Sequence, residues 1–240
     1  MIEIHSLWIG EPLSTLERLC IASHLQNDHE YHLWTYEPLE VPEGVILEDG
    51  SEILPKSEIF CYSGPPEEGG GSVSAFSNVF RYKLLSEKDV WWCDTDVVCL
   101  KPFKDEHTIA TEEGPRKIVL PATCVMRISK DLSVSCYQSA ITKDLANVRW
   151  GEIGPDLFRR CIEAAGIKDR EKPETFCPIH WWDCGKIFEP TTLSHESYAV
   201  HLWNEMWRRD NKNKDFVYRS DCLYERLKER YLGEQRMMVL

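Results

Sequence analysis

The 240-residue chain carries 28 basic and 40 acidic residues, a formal charge of -12. That field repels nucleic acid and anionic membrane, and no basic stripe offsets it, so neither is an expected partner. The length supplies ample area for a sizeable core and predicts one α/β domain over residues 1–240, with a loop-rich segment around 37–72.

Ten cysteines are present, with no Cys-x-x-Cys pair among them, so structural zinc is not expected. Cys20, Cys93, Cys99, Cys124 and Cys161 lie in apolar patterns and read as small core residues of a reducing compartment. Residues 1–10 show no basic leader region, and no apolar run reaches the roughly 18 residues of a membrane span. A cytoplasmic protein with no integral membrane segment is the expectation.

Residues 2–9 predict a first strand closed by Gly10. Ser14 and Glu17 then have the spacing of a capping box, opening a helix that runs to about Gln26. A second strand is predicted over 31–36, which gives the β-α-β start of a mostly parallel sheet. Residues 37–72 hold five prolines and the Gly69–Gly71 triplet and predict irregular surface structure. From Ser74 to about Leu85, Phe76, Val79, Phe80 and Leu84 recur at helical spacing, while Ser74, Ser77, Asn78 and Arg81 form the opposite stripe. Further strands are predicted at 117–120 and 124–128, and helices at 135–145 and 155–165, the latter with Pro155 at its first position and Gly166 beyond its end. Residues 176–183 read as a loop, 198–203 as a late strand and 221–231 as a charged terminal helix.

One element carries chemistry. Residues 90–100 are an apolar run, suited to a central strand, broken by Asp94 and Asp96. A buried carboxylate without a partner is costly, so both need a cation or strong donors. In an extended chain, residues two apart point the same way, so the two carboxylates can converge on one Mg²⁺ or Mn²⁺ carrying a phosphorylated ligand. A polar strand end is the plainer alternative. Two enzyme classes use such a pair. In a nucleotide-sugar glycosyltransferase the aspartates hold the metal across a diphosphate. In a haloacid-dehalogenase-like phosphatase Asp94 would be the nucleophile and Asp96 the general acid. That motif normally opens its domain, and no downstream acidic pair completes it here.

Ser77-Asn78-Val79-Phe80-Arg81-Tyr82, followed by Trp91-Trp92-Cys93-Asp94-Thr95-Asp96-Val97, resembles the Ser-Asp-x-x-Arg helix and Asp-x-Asp strand of family 32 type glycosyltransferases. These include α-1,4-galactosyltransferases and α-1,6-mannosyltransferases, with the glucosylating toxins as more distant kin. Residues 4–10, Gly154-Pro155 and His201-Leu202-Trp203-Asn204 are similar to other elements of that family. The resemblance implies a GT-A fold, a UDP- or GDP-hexose donor, a divalent metal, a glycan, lipid-linked glycan or other hydroxyl acceptor, and transfer with retention. It assigns Trp8 and Ile9 to the nucleotide base, and Ser77, Asn78, Arg81, Asp94 and Thr95 to the donor. Asp94 and Asp96 are the metal ligands it implies, with His201 and Asn204 as further candidates from a late strand. Asp183, after Trp181 and Trp182, is the candidate for orienting an acceptor hydroxyl. One departure stands out: Asn78 occupies the family's usual aspartate position, and its amide carries no charge. A protein that binds nucleotide-sugar or carbohydrate without turnover is therefore a third reading.

Overall fold

The computed structural model describes residues 1–236. β1 (Ile2–Leu7), α1 (Thr15–Leu25), β2 (His29–Thr35) and β3 (Val45–Asp49) form the first half of the fold. β1 pairs in parallel with β2, and β2 with β3. The predicted capping box is present, with Ser14 and Glu17 satisfying each other's backbone at the start of α1. α2 (Ser74–Glu87) leads to β4 (Trp91–Cys93), which pairs in parallel on the other side of β1. β5 (Val97–Cys99), β6 (Thr108–Glu113) and β7 (Val119–Arg127) follow, and β7 runs antiparallel to both β4 and β6. The six-stranded sheet has the order β3-β2-β1-β4-β7-β6. This is the expected mixed, mostly parallel α/β architecture.

The remaining elements are α3 (Lys130–Ile141), α4 (Pro155–Ala164), α5 (Pro173–Phe176), β8 (Ala199–His201), α6 (Asn204–Arg209) and α7 (Leu223–Arg236). One apolar core packs α1, α7 and the β5–β8 ribbon against one sheet face. A second packs α2, α3 and α4 on the opposite face. Pro155 opens α4 as predicted, and Gly166 takes the left-handed φ of +69° that a helix terminus favours.

Four expectations are revised. The run 90–100 is not one strand: it breaks at the acidic pair, and β5 leaves the main sheet to pair antiparallel with β8. The segment 37–72 is not wholly irregular, because Val45–Asp49 joins the sheet edge as β3. The strands predicted at 117–120 and 124–128 are one strand, β7, whose partner β6 was not predicted. Pro121 lies within β7 next to a register irregularity in β6, between Ile109 and Thr111, where a missing donor is tolerated. The loop at 176–183 is flanked by α5 and by 3₁₀ turns over Trp181–Phe188.

Candidate functional site

Parallel strands β1 and β4 are neighbours, and both end at the same edge of the sheet. Trp8 and Ile9 follow the end of β1, and Asp94 follows β4. This carboxyl edge is where open α/β sheets bind ligands. The chain turns there: the Val97 amide donates to the Asp94 carbonyl at 3.2 Å, and the Asp94 amide donates to the Cys124 carbonyl of β7 at 2.8 Å. The two carboxylates therefore converge through a tight turn, not through the two-residue period of an extended strand.

Each carboxylate has a cationic partner. Arg81, 3% exposed, places Nη1 3.0 Å from Asp94 Oδ1. The rest of its guanidinium is bound to the Ser77 carbonyl at 3.1 Å, to Ser77 Oγ at 2.9 Å and to the Thr123 carbonyl, and it lies over the Trp92 ring. Trp92 Nε1 also donates to Asp94 Oδ1 at 2.8 Å. Asp96 Oδ2 faces His201 Nε2 at 3.1 Å and accepts the Asn204 backbone amide at 2.7 Å. Burial holds the Asp94 carboxyl above its usual range, against the pull of Arg81. Burial also opposes ionisation of Asp96, but His201 and the Asn204 amide bring it below the usual value. His201, disfavoured as a cation by burial, is raised well above its ordinary range by Asp96.

Backbone strain aims one of these donors. Trp203 precedes α6 with φ +57°, a left-handed conformation that costs a non-glycine residue about 1 kcal/mol or more. It is anchored by its indole, which donates to the Ile179 carbonyl at 2.8 Å and lies 3.9 Å, centroid to centroid, from His201. The bend turns the Asn204 amide onto Asp96.

Ligand atoms of Asp94, Asp96 and His201 lie within 4.8 Å of one another. Among the described residues, Asp94 Oδ2 and Asp96 Oδ1 accept no hydrogen bond, which leaves one oxygen on each carboxylate for a cation. Two hard carboxylate oxygens are the donors that Mg²⁺ and Mn²⁺ prefer, so the residues fit such an ion.

Other predicted residues fall into place differently. Asn78 and Arg81 share a buried face of α2, not a solvated one. Asn78 donates to Tyr62 OH and to the Ser74 carbonyl, both at 2.9 Å, and its amide packs against Gly154, where even a methyl group would crowd it. Thr95 is buried in the acidic turn. Asn204 reaches Asp96 with its backbone amide, while its side-chain nitrogen faces Glu17 at 3.5 Å. Asp183 pairs with Lys186 at 2.5 Å, and among the described residues it makes no hydrogen bond to Asp94 or Asp96.

Two site-side residues escaped the sequence reading. Glu17 is fully buried and, beyond its capping role, binds Lys214 at 2.5 Å. Lys214 lies over the Trp8 ring and adds to the positive field at Asp96. The sequence signal was faint: Lys214 sits in a charged stretch, 208–215, that reads as a solvated surface.

Residues 141–231 match the family model described as the alpha 1,4-glycosyltransferase conserved region. That region includes His201, Asn204 and Lys214 but not the acidic pair. A human alpha-1,4-N-acetylglucosaminyltransferase is 23% identical over 175 residues, covering 61% of this chain and 49% of the relative. A Mus musculus lactosylceramide 4-alpha-galactosyltransferase is 26% identical over 148 residues, covering 54% of this chain and 40% of the relative. The chain thus spans about half or less of the length of these two relatives. A solved structure named PaToxG Glycosyltransferase superposes with a TM-score of 0.47 at 16% identity, covering 68% of this chain and 69% of that one. The sequence relatives are glycosyltransferases, so the resemblance drawn from residues 77–97 is borne out, and it is a transferase likeness, not a phosphatase one.

Proposed function

We propose that this chain is a metal-dependent, retaining glycosyltransferase that moves a hexose from a UDP- or GDP-sugar to a hydroxyl of a glycan or lipid-linked glycan. The observation that carries the proposal is the convergence of Asp94 and Asp96, each with one oxygen left for a cation, at the carboxyl edge of β1 and β4. The relatives' names, which specify transfer of N-acetylglucosamine and of galactose to lactosylceramide, support the donor and acceptor classes.

Asp94 and Asp96 would hold the divalent ion, with His201 beside them as the hydrogen-bond partner that orients Asp96. When bound, the ion supplies a positive charge that stabilises the departing diphosphate. Trp8 and Ile9, which follow β1 at this edge, would face the nucleotide base, with Lys214 contributing charge beside Trp8. Arg81 works through Asp94: its guanidinium is already committed to Asp94, Ser77 and Thr123, so it fixes the carboxylate's orientation and offsets part of the cost of burying its charge. The acceptor hydroxyl attacks from the face the diphosphate leaves, and its proton passes to that diphosphate.

The test is nucleoside diphosphate release from a panel of UDP- and GDP-hexoses with Mn²⁺ and glycan acceptors. The reading expects release that Asp96→Ala abolishes. Phosphate release from simple phosphomonoesters would instead favour the phosphatase, and donor binding without release across the panel would favour a binding protein.

A further inference from the structure

Cys124 lies in β7, its carbonyl accepting the Asp94 amide, and Cys177 follows α5. They are 53 residues apart in sequence, yet their sulfurs stand 3.6 Å apart, and a His201 nitrogen lies within 4.8 Å of both. All three residues are buried. His201 Nε2 faces Asp96, and Nδ1 has no hydrogen-bond partner. We propose that Cys124, Cys177 and His201 form a site for one soft ion of the zinc class, behind the carboxylate pair and sharing its imidazole.

The chemistry follows from the tautomer. Nε2–H donates to Asp96, so an ion that displaces the proton from Nδ1 meets its lone pair there, the arrangement in which a carboxylate orients a histidine for a metal. Two thiolates bound to one tetrahedral zinc at about 2.3 Å each are separated by about 3.8 Å. The observed 3.6 Å is close to that value and far from the roughly 2.05 Å of a disulfide. Ion binding makes the unpartnered Nδ1 a ligand and releases its proton together with the two thiol protons to solvent, so a divalent ion is neutralised by two thiolates. Sulfur and imidazole select zinc-like ions, whereas the carboxylates beyond His201 select Mg²⁺ or Mn²⁺. The two sites thus discriminate by softness.

Two other clusters of ligating side chains do not pass the same test. In the His24, His29 and Cys99 group, His29 Nε2 accepts the Phe103 amide at 3.1 Å, which puts the neutral ring's proton on Nδ1. In the Glu3, His5 and His32 group, His5 Nδ1 accepts the Trp34 indole at 2.9 Å. The His5 and His32 rings are also stacked 8° from parallel, so their in-plane lone pairs do not converge.

The inference does not depend on transferase activity. The test is titration of the reduced, chelator-treated full chain with Co²⁺, following thiolate-to-cobalt charge-transfer absorption in the near ultraviolet. One equivalent is expected to produce the band, and Zn²⁺ is expected to bleach it. Cys124→Ser and Cys177→Ser are expected to remove it, whereas the control Cys61→Ser and the carboxylate variant Asp94→Asn are expected to retain it. Absence of the band in the unaltered protein, or its survival in both cysteine variants, overturns the proposal. Because Asp94→Asn disables the carboxylate pair alone, the soft site and the transferase reading fail independently.

Discussion

Arg81 Nη1 stands 3.0 Å from Asp94 Oδ1, joining the middle of α2 to the end of β4 through a side chain that is only 3% exposed. Removing one partner of a buried ion pair leaves the other uncompensated, at a typical cost of about 3 kcal/mol. Asp94 is about a quarter exposed, which reduces that cost, whereas the Ser77 and Thr123 bonds lost with Arg81 add to it. Arg81→Ala is expected to lower unfolding free energy by about 3 kcal/mol, and Arg81→Lys by less, as measured by urea denaturation.

The Glu17–Lys214 contact makes a separate demand. Glu17 is fully buried, and Lys214 is its cationic partner at 2.5 Å. Lys214→Met is expected to destabilise the protein by about 2 kcal/mol, and adding Glu17→Gln is expected to recover part of the loss. A double-mutant cycle by chemical denaturation checks this, and strictly additive losses would contradict the coupling.

Asn78 donates its two amide hydrogen bonds to Tyr62 and Ser74 in a buried setting. Asn78→Asp replaces the donor with a carboxylate facing the Ser74 carbonyl. Without added ligand, this change is expected to cost about 1–3 kcal/mol, seen as a lower melting temperature. An unchanged or raised melting temperature would show that the site accommodates a carboxylate.

Glu112 supplies a pH signature. Burial pushes its carboxyl from 4.5 up to about 7. Between those values the unfolded chain ionises while the folded chain holds its proton, so stability falls as pH rises through the window. Below it both states are protonated and the effect vanishes. Glu112→Gln is expected to remove this decline, of order 2 kcal/mol. Unfolding curves with and without the substitution across that range, in metal-free buffer, make the comparison.

Sequence patterns that act locally were legible. The capping box at Ser14 and Glu17, the apolar stripe of α2 and the Pro155 start of α4 each depend on neighbours within one or two turns, and each element formed where predicted. The acidic pair was visible because two charges interrupt an apolar run. Its geometry was not, because the turn at Asp94 is fixed by β7 and β8, which are distant in sequence. The same limit hid the partners. Thr123, Lys214 and the Cys124–Cys177 contact are set by tertiary packing, and Asn204 contributes a backbone amide that leaves no trace in residue type. Asp183 was marked by its place after Trp181 and Trp182, and its pairing with Lys186 is a local contact that the residue pattern did not show.

The central claim is that Asp94 and Asp96 together anchor a metal-bound nucleoside diphosphate-sugar. The most direct measurement is the melting temperature of the full chain with UDP- and GDP-hexoses, with and without Mn²⁺, compared across the unaltered protein, Asp94→Asn and Asp96→Asn. A ligand bound at a hundred times its dissociation constant stabilises the native state by about 2.7 kcal/mol, which a thermal shift resolves readily. At least one donor is expected to raise the melting temperature only when Mn²⁺ is present, and either substitution is expected to abolish the shift. A donor-dependent shift that persists in both variants, or no shift with any donor and metal, would contradict the account.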